Sequence, residues 1–324
     1  MLEIQGLTKT FGDVTAVTGI DLTVRKGEVL GFLGPNGAGK STTMKMIAGF
    51  LTPSSGRVSI CGHDVENETT AAQRQLGYLP EGAPAYGDMT TRQFLTFIAE
   101  VRGFHGAEAK AKAAAAAAKT ELEPVLEQPI DTLSKGFKRR VGLAQAILHD
   151  PPVLVMDEPT DGLDPNQKHS VRKLIKGMAA EKAIIISTHI LEEVDAVCTR
   201  AVIIDKGKIV ADGTPAELLA RSRHHNAVTM TLPASQASAA REKIATLSDV
   251  ASVDLSPTPN GYGTLTAYPR KGALIIEEIS QLAGTEKWDV KQLNAEAGRL
   301  DDVFRALTTH DTDRARAGRK GGAA

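Results

Sequence analysis

The sequence predicts an α/β protein with a mostly parallel sheet covered on both faces, followed by a small α+β domain. Three observations carry the prediction. Short, largely apolar runs at 29–33, 153–156 and 183–187 read as strands buried on both faces. Segments with helical character stand between them, and strands alternating with helices build a parallel sheet. Beyond about residue 220 the pattern changes to shorter strands and helices that form a separate set.

Taken in order, Leu2 and Ile4 alternate with polar residues, and Ile20, Leu22 and Val24 repeat the period of two, so both stretches are strands. The apolar run 29–33 leads into a glycine-rich loop, and 41–50 reads as the helix that follows. Further short strands are expected at 58–60 and 77–79. From about 88 to 149 the chain turns helical. Thr90 with Gln93 forms a capping box, and Phe94, Phe97, Ile98 and Val101 fall at i, i+3, i+4 and i+7, which predicts one buried helix face. The segment 107–119 holds six consecutive alanines. It reads as a helix from its intrinsic propensity, with a low-complexity linker as the alternative. A helix near 168–178 and a hairpin at 202–211, turning at Lys206-Gly207, complete the pattern, and 217–220 starts the last helix of a domain spanning 1–220.

The polar stretch 221–226, with His224-His225 read as solvated surface, leads to a second domain over 227–310. Strands at 228–232, 250–255, 264–268 and 288–293, with helices at 234–247 and 273–282, give the order strand–helix–strand–strand–helix–strand, the ferredoxin-like pattern. A closing helix is expected at 300–307. The segment 256–263 reads as a surface loop. The tail 311–324, with Arg314, Arg316, Arg319 and Lys320, reads as a frayed terminus, with a phosphate- or lipid-contacting tail as the alternative.

With 42% apolar and 24% charged residues in 324, the chain reads as globular and soluble rather than disordered. A net charge of −1 gives no bulk attraction to nucleic acid or an anionic membrane, so a nucleic-acid partner is not expected. Cys61 and Cys198 lack metal-ligand spacing and read as core thiols. No run approaches the roughly 20 apolar residues of a membrane span. The start Met1-Leu2-Glu3-Ile4-Gln5 reads as a strand, not a signal peptide, so a cytoplasmic location is expected.

Gly34-Pro35-Asn36-Gly37-Ala38-Gly39-Lys40-Ser41-Thr42 fits G-x-x-x-x-G-K-S/T in full, after a buried strand and before a helix. Its glycines let backbone N–H groups turn toward phosphates, the helix adds its positive end, and Lys40 supplies a point charge. The Ser41 hydroxyl is placed to ligate Mg²⁺. The run 153–156 ends in Asp157 and Glu158, and two adjacent carboxylates after a core strand point to use. Asp157 can hold the water shell of Mg²⁺ and Glu158 can act as general base on the attacking water. His189 ends another buried strand and can contact the γ-phosphate. Asp64 and Asp205 also follow apolar segments, without a metal-like setting.

This ordered set resembles the ATP-binding cassette (ABC) family, in particular the ATPase subunits of ABC transporters, over about residues 1–220. The resemblance implies a P-loop NTPase fold of the ABC type with a helical subdomain at about 88–149. It implies that Phe11, before Gly12, stacks on adenine, and that Leu133-Ser134-Lys135-Gly136-Phe137 stands for the family's Leu-Ser-Gly-Gly-Gln signature. Asp157-Glu158-Pro159-Thr160 and Gly162-Leu163-Asp164-Pro165 match the magnesium carboxylate, the catalytic glutamate and the dimer-contact loop, and His189 matches the switch histidine. Two copies, or this chain with another ABC ATPase, would sandwich two ATP molecules, Leu133, Ser134, Lys135 and Gly136 of one subunit facing the γ-phosphate held by the other. Motion would pass to integral-membrane permease subunits, placing the chain at the inner face of the cell membrane, with the Glu81 loop and 90–119 receiving a coupling helix.

Two positions depart from the family pattern. Glu81 stands where glutamine is usual, keeping oxygens near Mg²⁺ and the attacking water but adding charge; Lys135 and Phe137 replace a glycine and the glutamine. These departures, with Leu300-Asp301-Asp302-Val303-Phe304 near the end of a C-terminal appendage, resemble the gliding-motility, sodium-export and multidrug exporter branch. The expected function is therefore an exporter's ATPase subunit. The alternatives are a soluble ABC ATPase acting on nucleic acid or ribosomes, and a regulatory cassette with a ligand- or protein-binding C-terminal domain.

Overall fold

The computed structural model describes residues 1–258 and 261–308. The basic tail from Asp311 lies outside the described residues, as do residues 259–260; the rest of the stretch read as a surface loop at 256–263 is largely strand, with Ser256–Thr258 paired to Tyr262–Thr264. The chain divides into two units, Met1–Pro215 and Ala216–Ala324.

In the first unit the strands are β1 (Leu2–Phe11), β2 (Val14–Val24), β3 (Val29–Leu33), β4 (Ser55–Ile60), β5 (His63–Asp64), β6 (Leu76–Leu79), β7 (Val153–Asp157), β8 (Ala183–Thr188), β9 (Arg200–Asp205) and β10 (Lys208–Gly213). The helices are α1 (Lys40–Ile47), α2 (Thr69–Arg74), α3 (Thr91–Val101), α4 (Gly106–Lys119), α5 (Lys135–Ile147), α6 (Pro165–Ala179) and α7 (Leu191–Val197); α8 (Pro215–Leu219) begins at the junction. A four-stranded antiparallel sheet runs β2-β1-β4-β5, and a six-stranded sheet runs β10-β9-β3-β8-β7-β6. The latter is parallel except for the β9–β10 hairpin. That hairpin turns on Lys206 and Gly207, both at positive φ, as a two-residue loop requires.

Every residue of β3, β7 and β8 is buried, yet the period of two persists. Leu30, Phe32, Val153, Val155 and Ile185 pack with α1 and the antiparallel sheet. Val29, Leu154, Met156, Ile184 and Ile186 pack on the opposite face, with Leu143, Ile147, Val171 and Ile175 of α5 and α6. Burying a side chain such as Phe32 contributes about 2–3 kcal/mol. A third core holds the helical segment together. Ala109, Ala113, Ala116 and Ala117 form the buried face of α4, packed in one cluster with Phe94 and Leu95 of α3 and Val141 and Leu148 of the α5 segment.

Two local expectations shift. Thr90 and Gln93 do form the capping box. The buried face of α3, however, is Thr91, Phe94, Leu95 and Ala99; Phe97 and Ile98 are half-buried and Val101 is 66% exposed. The helix read at 41–50 begins at Lys40 and ends at Ile47. Gly49 at φ 73° stops it, and the Gly49 and Phe50 amides bond back to Met46 and Lys45 in a Schellman arrangement.

The second unit contains β11 (Val228–Pro233), α9 (Ala234–Ala245), β12 (Val250–Thr258), β13 (Tyr262–Pro269), α10 (Ile276–Thr285), β14 (Gln292–Ala295) and α11 (Leu300–Thr308). Its sheet runs β12-β13-β11-β14 with every neighbouring pair antiparallel. The last strand starts at Gln292 rather than 288: Trp288 instead bonds to the Ala283 carbonyl and packs partly buried on the core. His224 is not solvated surface. Its ring stands edge-on to Tyr268 at 5.2 Å, and its Nδ1 lies 2.5 Å from Asp302 Oδ2.

Candidate functional site

The glycine loop lies between β3 and α1, and contacts from both sides fix its shape. A Cβ on Gly39 would stand 2.5 Å from the Ala16 carbonyl, and one on Gly34 would stand 2.6 Å from the Ile204 carbonyl. The turn residue Gly207 donates to the Ala38 carbonyl at 2.9 Å. Gly39, at φ 105°, precedes the first turn of α1, so that helix opens directly on the loop. Ser41 and Thr42 are half-buried in this first turn.

Lys40 is 7% exposed, and its Nζ donates to the carbonyls of Gly34 at 2.6 Å and Pro35 at 3.1 Å. Burial lowers its pKa, opposed by the charges of Glu158, Asp157 and Glu81. Three sequence-predicted carboxylates, two from the end of β7 and one from the loop after β6, therefore act on one ammonium. Phe11, at the end of β1, is 49% exposed with Lys9 Nζ 5.2 Å from its ring centre. An aromatic face so presented is free to stack.

Asp157 closes β7 at 1% exposure. Its Oδ1 accepts from the Ser187 hydroxyl, while its Oδ2 is buried without a hydrogen-bond partner. An unpaired buried carboxylate oxygen is unfavourable by itself. It fits the role of holding a hydrated cation. Among the described residues no group of three or more His, Cys, Asp or Glu side chains could hold a metal alone. The donor set thus suits an ion shared with a nucleotide, as Mg²⁺ commonly is.

Glu158 takes φ 51°, and its amide is held by Ser187. Its Oε1 lies 2.9 Å from His189 Nδ1, so the histidine closing β8 and the carboxylate beyond β7 are paired across neighbouring parallel strands. Glu81 is exposed, just after Pro80.

In the segment Leu133–Gly136, Ser134 and Lys135 are exposed and Leu133 and Gly136 are buried. Ser134 caps α5, its Oγ accepting from the Phe137 amide at 3.3 Å. A Cβ on Gly136 would stand 2.5 Å from Gln167 Oε1, and Lys135 lies beside Gly162. Asp164 caps α6 in a capping box with Gln167. None of the hydrogen bonds made by Lys40 or Asp157 among the described residues reaches this segment.

Three buried residues escaped the sequence reading. Arg139 of α5, 6% exposed, donates to the carbonyls of Pro80 at 2.9 Å, Asp157 and Glu158, tying the Glu81 loop and the end of β7 to α5. Ser187 bridges Asp157 and the Glu158 amide. Glu193 of α7, 4% exposed, accepts from Thr160 and from Thr188 at 2.8 Å. A charged residue on an otherwise apolar helix stripe, as Glu193 is beside Val194 and Val197, is the signal that marks such positions.

A glycine loop with a buried lysine, facing two carboxylates and a histidine at parallel strand ends, defines a P-loop ATPase. Comparison with known proteins narrows the class. A family model described as ABC transporter matches residues 17–161. The Nod factor export ATP-binding protein I of Paraburkholderia xenovorans is 32% identical over 308 residues, covering 95% of this chain and 96% of that one. The daunorubicin/doxorubicin resistance ATP-binding protein DrrA of Streptomyces peucetius is 31% identical, covering 96% and 93%. A solved ATP binding subunit of an ABC transporter is 32% identical with a TM-score of 0.63, covering 67% of this chain and 91% of its own. The chain belongs to the ABC transporter family, as an ATP-binding and ATP-hydrolysing subunit.

Proposed function

We propose that this chain hydrolyses Mg²⁺-bound ATP to drive an exporter whose membrane-spanning subunits are separate chains. The Glu158–His189 pair at 2.9 Å, next to Asp157 with its buried, partnerless Oδ2, carries the reading of the site. Phosphate oxygens replace the Gly34 and Pro35 carbonyls as partners of Lys40, with loop N–H groups and the start of α1 completing the cradle. Asp157, Ser41 and Glu81 would hold Mg²⁺, which would neutralise phosphate charge. Glu158 takes a proton from the attacking water, and His189 orients that carboxylate while reaching toward the γ-phosphate. Phe11 stacks on the base.

The segment Leu133–Gly136 and Asp164 complete the site of a second ATPase subunit. A γ-phosphate bridging two surfaces makes closure depend on ATP. A membrane coupling element docks near the Glu81 loop and α3, where Tyr86, 56% exposed, packs on Phe97 at 5.7 Å and Val101 is open. This places the chain in the cytoplasm at the inner face of the membrane. Export is favoured over a role on nucleic acid or ribosomes by relatives named for export and resistance that cover nearly the whole chain. The second unit, read as ferredoxin-like, is an accessory domain.

Glu158→Gln tests the site and the sandwich together. Turnover should fall at least about 100-fold, ATP should remain bound, and sizing chromatography with ATP and Mg²⁺ should show a dimer. Near-normal turnover would remove Glu158 from its role; a monomer under those conditions would remove the sandwich.

A further inference from the structure

Behind the Glu158–His189 pair lies a second, buried contact between the same two chain segments. Thr160 follows Glu158 by two residues, and Thr188 immediately precedes His189. They are 3% and 2% exposed, and both hydroxyls donate to the two oxygens of the Glu193 carboxylate, Thr160 to Oε1 and Thr188 to Oε2 at 2.8 Å. The Thr188 oxygen also accepts from the Ile190 amide at 3.0 Å, which directs its proton to Glu193. Burial raises the pKa of this carboxyl, opposed by the Thr188 hydrogen bond and by Arg172 and Lys168 of α6.

We propose that Glu193 is a positioning residue for ATP hydrolysis: its carboxylate clamps the loop 158–164 to the end of β8 and thereby sets Glu158 against His189. The proposal rests on the hydrolytic reading of that pair. A carboxylate accepts from both hydroxyls at once through its two oxygens; an amide of the same size offers a donor in place of one oxygen, so one hydroxyl must turn from donor to acceptor and the contact is rearranged. The clamp also joins the loop expected to face a second subunit to the strand end carrying the histidine. A shift of either by about 1 Å is enough to cost up to about 100-fold in rate without loss of substrate contacts.

The test is steady-state Mg²⁺-ATP hydrolysis by the purified full chain, with melting temperature followed in parallel. Glu193→Gln should lower kcat about tenfold while KM stays within about twofold. Thr160→Val and Thr188→Val, which keep shape and lose the hydroxyl, should each lower kcat, and Thr160→Ser and Thr188→Ser should restore it. The double variant Glu193→Ala with Thr188→Val should be no slower than Glu193→Ala alone, because Glu193→Ala already removes both contacts. Should Glu193→Gln fail to fold, the threonine series carries the test by itself. Wild-type kcat in the valine variants, losses that multiply, or a fall in kcat with an equal rise in KM would overturn the clamp. Wild-type turnover in Glu158→Gln would instead overturn the site reading beneath it.

Discussion

The central parallel sheet and the C-terminal antiparallel sheet solve the burial problem differently. Strands β3, β7 and β8 are apolar on both faces, so charged groups appear only where these strands end, at Asp157, Glu158 and His189. In the C-terminal sheet, β11 alternates buried Val228, Met230 and Leu232 with half-buried Thr229, Thr231 and Pro233. Polar side chains there are distributed along a face and bond to one another, as Thr231 does to Thr264 at 3.1 Å. Covering both faces of a sheet forces its chemistry to the strand ends, where neighbouring parallel strands bring it together. A one-sided sheet spreads polar groups and gathers no such cluster.

Substitutions should separate the two accordingly. Lys40→Ala is expected to have the largest effect, lowering turnover by about 100-fold or more through loss of nucleotide binding or hydrolysis. A radiolabelled or fluorescent ATP binding assay distinguishes the two routes, and near-normal turnover in purified protein would break the assignment of the loop.

Arg139→Met comes next. It removes the shared donor to the carbonyls of Pro80, Asp157 and Glu158, leaving acceptors buried without their partner. The expected loss is about 3 kcal/mol, read from the urea midpoint, with reduced turnover. Arg139→Lys should recover only part of either, since one ammonium cannot reproduce the planar fork. An unchanged midpoint would show that the strand end holds its carboxylates without help from α5.

Much of this was legible before any coordinates, because it depends on neighbours in sequence. The glycine loop, the apolar strands and the Thr90 capping box are all local patterns, and the strand order of the second unit follows from alternation. Roles set by distant partners were not legible. Arg139 lies 18 residues from Asp157, and Glu193 lies 33 from Thr160. The α3 face failed for a related reason. The i, i+3, i+4, i+7 spacing of Phe94, Phe97, Ile98 and Val101 is real, but the small faces of α4 and the α5 segment receive Leu95 and Ala99 and leave Val101 out. His224 looked like surface because its partners, Tyr268 and Asp302, are 44 and 78 residues away.

Acid should weaken the first unit through His149. Burial, then the charge of Arg102, lowers its pKa from 6.5 to about 4, while Leu76 carbonyl lies 3.1 Å from its Nε2. A histidine held neutral in the fold takes up its proton more readily when unfolded. Its contribution is therefore intact above pH 6.5 and is lost as pH falls toward 4. At about pH 5 the loss should be about 2 kcal/mol relative to neutral pH. His149→Gln, which keeps a donor for Leu76, should remove that part of the pH dependence in urea titrations. Identical slopes for both proteins would show that the fold does not lower the His149 pKa.

The smallest expected effect belongs to the second unit and probes whether its polar cluster is structural only. Asp302 accepts from Ser222 at 3.2 Å and meets His224 Nδ1, while Arg223 stacks over Tyr268 at 4.1 Å. These contacts tie the segment before β11 to α11 and β13, and they involve none of the groups around Lys40. Asp302→Asn substitutes a donor at one oxygen and should cost about 1 kcal/mol, seen as a lower melting temperature with unchanged kcat and KM for ATP. A matching fall in turnover would mean that the C-terminal unit takes part in hydrolysis, and that covered strand ends do not hold all of this protein's chemistry.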